Sequence, residues 1–194
     1  MNIALAVTAA GRSLRFGSDK LAYPFQSSTI GETSFAIYDD IDFCHKVIVL
    51  NRASGILDHL KAKHDLQIII NPEPERGLSS SVNLALLSIL QRCDPDGILF
   101  AAADMPFVRR ESVIELIRLF HSSPDCICSL SYERQRGKPV IFPKHLFPLF
   151  KDLTGDTGGR SIIENNLSSL KTVSVEKREL LDIDTIQDLN IYLS

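Results

Sequence analysis

The chain has 194 residues, 44% hydrophobic and 23% charged, with a formal net charge of −3. That is enough apolar material to fill the core of one domain, and the slight acidity excludes the basic face of a nucleic-acid binder. No apolar run approaches the roughly 18 residues of a membrane helix, so neither nucleic acid nor membrane is an expected partner.

The first element is an uncharged apolar run over 3–7, the pattern of a strand buried on both faces. It leads into Ala9, Ala10 and Gly11, then Arg12, Ser13, Arg15, Gly17 and Lys20. Three cations and two glycines after a strand make a loop suited to phosphate. A tight turn with solvated cations is the plainer reading, and one cation alone would favour it. The loop fits neither the G-x-G-x-x-G nor the P-loop spacing.

Beyond a turn at 26–28, Thr29 caps a helix expected to reach about residue 42, with Glu32 completing a capping box. A strand over 46–50, a helix over 54–64 and a strand over 66–70 follow. The stretch 71–77, opening on Asn71 and closing on Gly77, is expected to be non-helical because two prolines interrupt it. Residues 78–92 carry a helical apolar stripe, with Ser79, Ser80 and Ser81 in the first turn as capping or ligand groups.

A fourth strand over 97–103 ends in Asp104-Met105-Pro106. A helix over 108–120 precedes two strands, 126–130 and 139–142, joined by a polar segment. A short helix over 144–150 leads to a loop with three glycines, 153–160. A short helix (161–166), a strand (170–175) and a last helix (185–193) complete the chain. There is no repeat or linker, so residues 1–194 read as one domain. The fold class is α/β: a doubly wound, mostly parallel, Rossmann-like sheet with helices on both faces. Ligands of such sheets lie at the carboxyl ends of the strands, which selects 11–20, 71–81 and 104–106.

Asp104 follows seven uncharged residues, where a carboxylate is costly unless paired or bound to metal. Magnesium is the expected partner, since it takes one or two carboxylates together with substrate phosphates. The second ligand is Asp184 or its rival Asp182, which share one face if 181–184 is extended; Asp184 as a mere helix cap is the competing role. The five histidines fall at helix ends or on polar faces. The four cysteines form no C-x-x-C, and Cys126 and Cys128 share a strand face as core thiols. The apolar N-terminus is too short and too poor in flanking basic residues for a signal peptide, so the expected location is cytoplasmic. Cations, a metal carboxylate and hydroxyls without a nucleophile suit in-line phosphoryl or nucleotidyl transfer.

These residues carry a resemblance. Ala9-Ala10-Gly11-Arg12-Ser13-Leu14-Arg15-Phe16-Gly17 with Lys20 resembles the first signature of MobA-like nucleotidyltransferases. Asn71-Pro72 with Gly77 to Val82, Ala103 to Pro106, Gly137 to Pro143, Gly155 to Arg160 and Asp182 to Thr185 resemble its later motifs in order. The resemblance spans nearly the whole chain and implies the nucleotide-diphospho-sugar transferase (GT-A-like) fold. Within the group the chain is most similar to the molybdenum cofactor cytidylyltransferases, because guanylyl-transferring members read Ala-Gly-Gly where this chain has Ala9-Ala10-Gly11.

The resemblance implies Mg²⁺-dependent transfer of CMP from CTP to molybdopterin (molybdenum) cofactor, with release of pyrophosphate. It implies Arg15, Lys20 and Asp104 as catalytic residues and Asp104 with Asp184 on the metal. It implies nucleotide contacts from Ala9 to Ser13, Asn71, Gly77 and Ser79 to Ser81. Lys138, Asp156, Gly158 and Arg160 would meet the acceptor, although Lys138 stands where cytidylyltransferases commonly carry His. The implied protein partner is a molybdenum hydroxylase of the xanthine dehydrogenase type. Two alternatives remain: a related transferase using GTP or a sugar or alditol phosphate, and a non-catalytic carrier of the cofactor for a molybdoenzyme.

Overall fold

The computed structural model describes residues 1–11, 15–63 and 66–193. The strands are β1 (Ile3–Ala9), β2 (Pro24–Phe25), β3 (Ser28–Thr29), β4 (Lys46–Leu50), β5 (Gln67–Ile70), β6 (Gly97–Ala102), β7 (Ile127–Tyr132), β8 (Gln135–Pro143) and β9 (Leu170–Ser174). The helices are α1 (Ile30–Ala36), α2 (Leu57–Lys63), α3 (Leu78–Arg92), α4 (Arg110–Ser122), α5 (Arg160–Asn165) and α6 (Ile186–Leu193). Among the described residues no helix is long and apolar enough to cross a membrane.

Seven strands form one sheet in the order β5-β4-β1-β6-β8-β7-β9, while β2 and β3 form a small hairpin. β1 lies inside the sheet next to the central β6, parallel to both β4 and β6, and β5 extends the parallel run. β8 is antiparallel to both β6 and β7, and β9 pairs parallel with β7. The expected doubly wound, mostly parallel α/β sheet is therefore present.

Alternation along β1 separates two cores. Ile3, Leu5 and Val7 point to one face, packed with Phe35 of α1, Leu60 of α2 and Leu116 and Phe120 of α4. Ala4 and Ala6 point to the other, under Val82, Ala85, Leu86 and Ile89 of α3. Small residues on that side bring α3 down onto the sheet. A third, smaller cluster joins Phe16, Phe25, Ile30, Ile183 and Leu189. It ties the loop after β1 to the C-terminal segment.

Several elements differ from expectation. Thr29 does cap α1, accepting from the Glu32 backbone N–H at 3.2 Å. The helix stops at Ala36, however, well short of residue 42. Asp39, Asp40 and Asp42 would oppose the negative end of a longer helix. Within the expected loop 71–77, Pro74–Arg76 makes a single 3₁₀ turn. Pro74 occupies its first position, where the missing N–H costs nothing.

The largest difference lies at 131–138. Instead of a polar connection, β7 and β8 continue into a tight hairpin, with Tyr132 opposite Gln135 and only Glu133 and Arg134 at its tip. Glu133 takes a positive φ of 51° there. The turn lacks the Asn-Gly or Asp-Gly pair by which such hairpins are recognised.

Candidate active site

The three strand ends chosen from the sequence meet around one cavity of about 500 Å³. Its floor is the carboxyl end of β1 and β6, through Thr8, Ala10, Ala102 and Asp104. α3 and the turn before it supply one wall, through Pro74, Glu75, Gly77 and Ser81. Lys138, Asp156 and Asp184 reach it from distant parts of the chain.

Lys20 lies at the centre of this arrangement. It is 9% exposed. Its Nζ lies 2.8 Å from Asp104 Oδ2 and 3.3 Å from Asp184 Oδ1. Arg15 Nη2 reaches the other oxygen of Asp184 at 2.8 Å. The Arg15 side chain is 75% exposed, so this outer pair is screened by water and weak.

Packing explains why residues so far apart in the chain meet. Phe16 and Ile183 are buried in the same small cluster, with Phe16 edge-on to Tyr23 at 5.2 Å between ring centres. Arg15 and Lys20 flank Phe16, and Asp184 follows Ile183. Burying the two apolar anchors brings the charges beside one another. A backbone bond from Ile183 N–H to Asp104 C=O, 2.9 Å, closes the triangle.

The competing role of Asp184 as a helix cap is filled by its neighbour. Thr185 Oγ1 accepts from Asp188 N–H at 3.2 Å, and Asp188 Oδ2 accepts in return from Thr185 N–H at 2.7 Å. That is a reciprocal cap. Burial alone would raise the Asp188 carboxyl. The hydrogen bonds from Thr185 and Asp184, with Arg15 nearby, outweigh it and hold the group below its ordinary value. Asp182, the rival, is exposed and does not line the cavity.

Asn71 is 3% exposed. Its Nδ2 donates to the hydroxyls of Ser80 and Ser81, both at 2.9 Å, and its Oδ1 accepts from Glu73 N–H. It fastens the turn after β5 onto the start of α3. Ser79 N–H donates to Gly155 C=O at 3.0 Å. Of the three serines, Ser81 lines the cavity. Gly77 is needed as glycine: its φ is +85°, and a Cβ there would stand 2.5 Å from the Gly155 backbone.

Ala9 is buried against the α1–α2 face of the sheet. The Gly11 carbonyl accepts from Asn51 Nδ2 at 3.1 Å. Arg12 and Ser13 lie outside the described residues. Gly158 backs onto Leu78. Arg160 turns to Glu164 of its own helix at 2.8 Å and does not line the cavity. Thr8, Pro74, Glu75 and Leu78 line it without having been singled out from the sequence. Thr8, the one polar residue of β1, was the available signal; its hydroxyl donates to Ala101 C=O.

The donor set fits magnesium. Two carboxylates meet at one ammonium, and one or two carboxylates are what Mg²⁺ takes, completing its shell with water and phosphate oxygens. Among the described residues no three His, Cys, Asp or Glu side chains gather as a self-sufficient metal site.

A twisted sheet of this strand order, with cations and acids gathered where the β1 loop meets the end of β6, defines a nucleotidyltransferase of the nucleotide-diphospho-sugar transferase fold. The chain belongs to the MobA-like NTP transferase domain family, whose model matches residues 5–172. It is 25% identical over 192 residues to the purine catabolism protein PucB of Bacillus subtilis, covering 94% of this chain and 92% of that one. It is 32% identical over 85 residues, 43% of each chain, to molybdenum cofactor cytidylyltransferase of Escherichia coli. The crystal structure of Rv0371c from Mycobacterium tuberculosis superposes with a TM-score of 0.83 at 24% identity, covering 99% of this chain and 97% of that one.

Proposed function

We propose that this protein transfers CMP from CTP to the terminal phosphate of molybdenum cofactor, in a Mg²⁺-dependent reaction that releases pyrophosphate. The observation that carries the reading is the Lys20 ammonium held between Asp104 and Asp184 beneath the β1 loop. The similarity to a molybdenum cofactor cytidylyltransferase supports the cytidylyl assignment. So does Ala10 in the cavity floor, at the position where guanylyl-transferring members carry glycine.

Arg15 grips the triphosphate through its planar fork, and Lys20 acts as a point charge beside it. Asp104 and Asp184 hold the Mg²⁺, which when bound neutralises charge on the phosphate oxygens. Lys138, on the wall formed by β8, orients the acceptor phosphate. An oxygen of that phosphate bonds to the α-phosphorus of CTP as the bond to the β-phosphate oxygen breaks. The attacking atom belongs to the substrate, so the protein aligns the groups and stabilises charge. The similarity to a purine catabolism protein fits delivery of the product to a molybdenum hydroxylase of the xanthine dehydrogenase type.

The test is pyrophosphate release with molybdenum cofactor as acceptor, comparing CTP with GTP at several Mg²⁺ concentrations. CTP is expected to turn over and GTP to lag well behind, and Asp104→Ala to abolish release while leaving the fold intact. Equal turnover of the two nucleotides would refute the cytidylyl assignment. Turnover of a sugar phosphate but not the cofactor would refute the acceptor. Stoichiometric cofactor binding without pyrophosphate would indicate a carrier.

A further inference from the structure

Away from the cavity, the fold joins two cysteines that lie 49 positions apart in the chain. Cys93 follows the last turn of α3, and its N–H closes that helix onto Ile89 C=O at 3.0 Å. Cys44 stands two residues before β4, its N–H bonded to Ile3 C=O. α3 packs along β1 and β4, starting at the cavity and ending at the opposite, amino-terminal end of those strands. Its C-terminal end therefore arrives where the chain enters β4. The two sulfurs are 2.9 Å apart, with the Cys44 thiol donating to Cys93 Sγ. A disulfide needs about 2.05 Å, so less than an ångström separates contact from bond. Cys44 is exposed and Cys93 half-buried.

We propose that Cys44 and Cys93 are a modification site, oxidised reversibly to a disulfide that fastens the end of α3 to the entry of β4. With hydrogen peroxide as oxidant, the exposed Cys44 sulfur attacks one peroxide oxygen. The O–O bond breaks, water leaves and Cys44 becomes a sulfenic acid. The Cys93 sulfur then attacks Cys44 Sγ, the S–O bond breaks and a second water leaves. Two thiols give up two electrons and two protons, and the peroxide accepts both.

The division of roles follows from the surroundings. Burial pushes the Cys93 thiol up to about 12, and the neighbouring Cys44 thiol and Asp94 add to the shift. Cys44 is the exposed sulfur and so the one an oxidant meets first, and Cys93 gives up its proton to the departing oxygen only as it attacks in the second step. Cys126 and Cys128 offer no such pair. Cys128 is fully buried in the core and likewise pushed up to about 12 by burial.

The cross-link closes a long loop and so restricts the unfolded chain. It sits a full helix length from the cavity, about 20 Å for the 15 residues of α3.

The experiment treats the full chain with a slight excess of hydrogen peroxide, then counts thiols and maps peptides without reduction. Titratable thiols are expected to fall from four to two, with the Cys44 and Cys93 peptides joined. The melting temperature should rise by several degrees and return with dithiothreitol. Cys44→Ser and Cys93→Ser should match the reduced parent and show no rise. Four surviving thiols would overturn the proposal. So would Cys44 ending as a sulfinic acid beside a free Cys93, or a bond between two chains.

Discussion

The backbone N–H of Ile183 donates to the carbonyl of Asp104 at 2.9 Å, and this bond sets the two acids of the site beside one another. Ile183 is fully buried and Asp184 follows it directly, so the side chain of Asp184 is carried to Lys20 by a neighbour that cannot leave the core. The same buried cluster holds Phe16, next to Arg15. The charges are positioned by apolar burial rather than by their own attraction.

Replacing Lys20 with Met should act twice. Transfer falls by about a hundredfold or more, because a positioned charge is lost from the phosphate site. Without Mg²⁺ the folded state loses on the order of 1–2 kcal/mol, since two half-buried carboxylates then stand together with only the exposed, screened Arg15 beside Asp184. Added Mg²⁺ should restore more stability to Lys20→Met than it gives the parent. Thermal melts with and without Mg²⁺ check this; equal Mg²⁺ shifts in both proteins would refute it.

Glu179 is a second, hidden support of the same region. It is 2% exposed and accepts from both Arg109 N–H, at 3.0 Å, and Arg109 Nε, at 3.1 Å. The turn that carries it is latched to the start of α4, and Arg178 lies 4.3 Å over the Phe107 ring. Glu179→Ala should cost on the order of 2 kcal/mol of stability. It should also raise the Mg²⁺ concentration needed for half-maximal pyrophosphate release, with little change at saturating Mg²⁺. Urea unfolding and a Mg²⁺ titration of activity are the measurements.

Gly77→Ala combines a strained φ with a collision. The new Cβ would press on the Gly155 backbone and on Asp156 Oδ1, 2.6 Å away. The loop over 155–156 must yield, at about 2 kcal/mol or more in stability. Because Gly77 and Asp156 both line the cavity, nucleotide binding should weaken as well. Thermal stabilisation by CTP, compared between parent and variant, reads both effects.

Asp188 gives a pH dependence whose sign is determined. Its carboxyl is held below the ordinary value in the folded chain. Its contribution is therefore complete above the unfolded value of about 3.9 and lost as the pH falls through the lower, folded value. Asp188→Asn should be less stable than the parent at neutral pH, and the gap should narrow in acid. Urea unfolding from pH 7 down to pH 3 would show it; a gap that widens in acid would refute the assignment.

Read alone, the sequence determined what depends on neighbours in the chain. The uncharged run of β1 and the four apolar residues 47–50 of β4 read as buried strands. The stripe Val82, Leu86 and Ile89 defined α3 at its full length of 15 residues. Thr29 announced its cap. From those elements the sheet class followed, and with it the end of the sheet where a ligand would lie. Spacing left the choice between Asp182 and Asp184 open, because it says nothing of a contact to Lys20 across 164 positions. Only the tertiary structure brought Asp184 to Lys20 and Asp104, by burying Ile183 with Phe16 and by giving the cap of α6 to Thr185. The same holds for the Glu133–Arg134 turn, the buried Glu179 and the meeting of Cys44 with Cys93. Each rests on a partner far away in the chain, and periodicity and propensity record only what a segment does with its own neighbours.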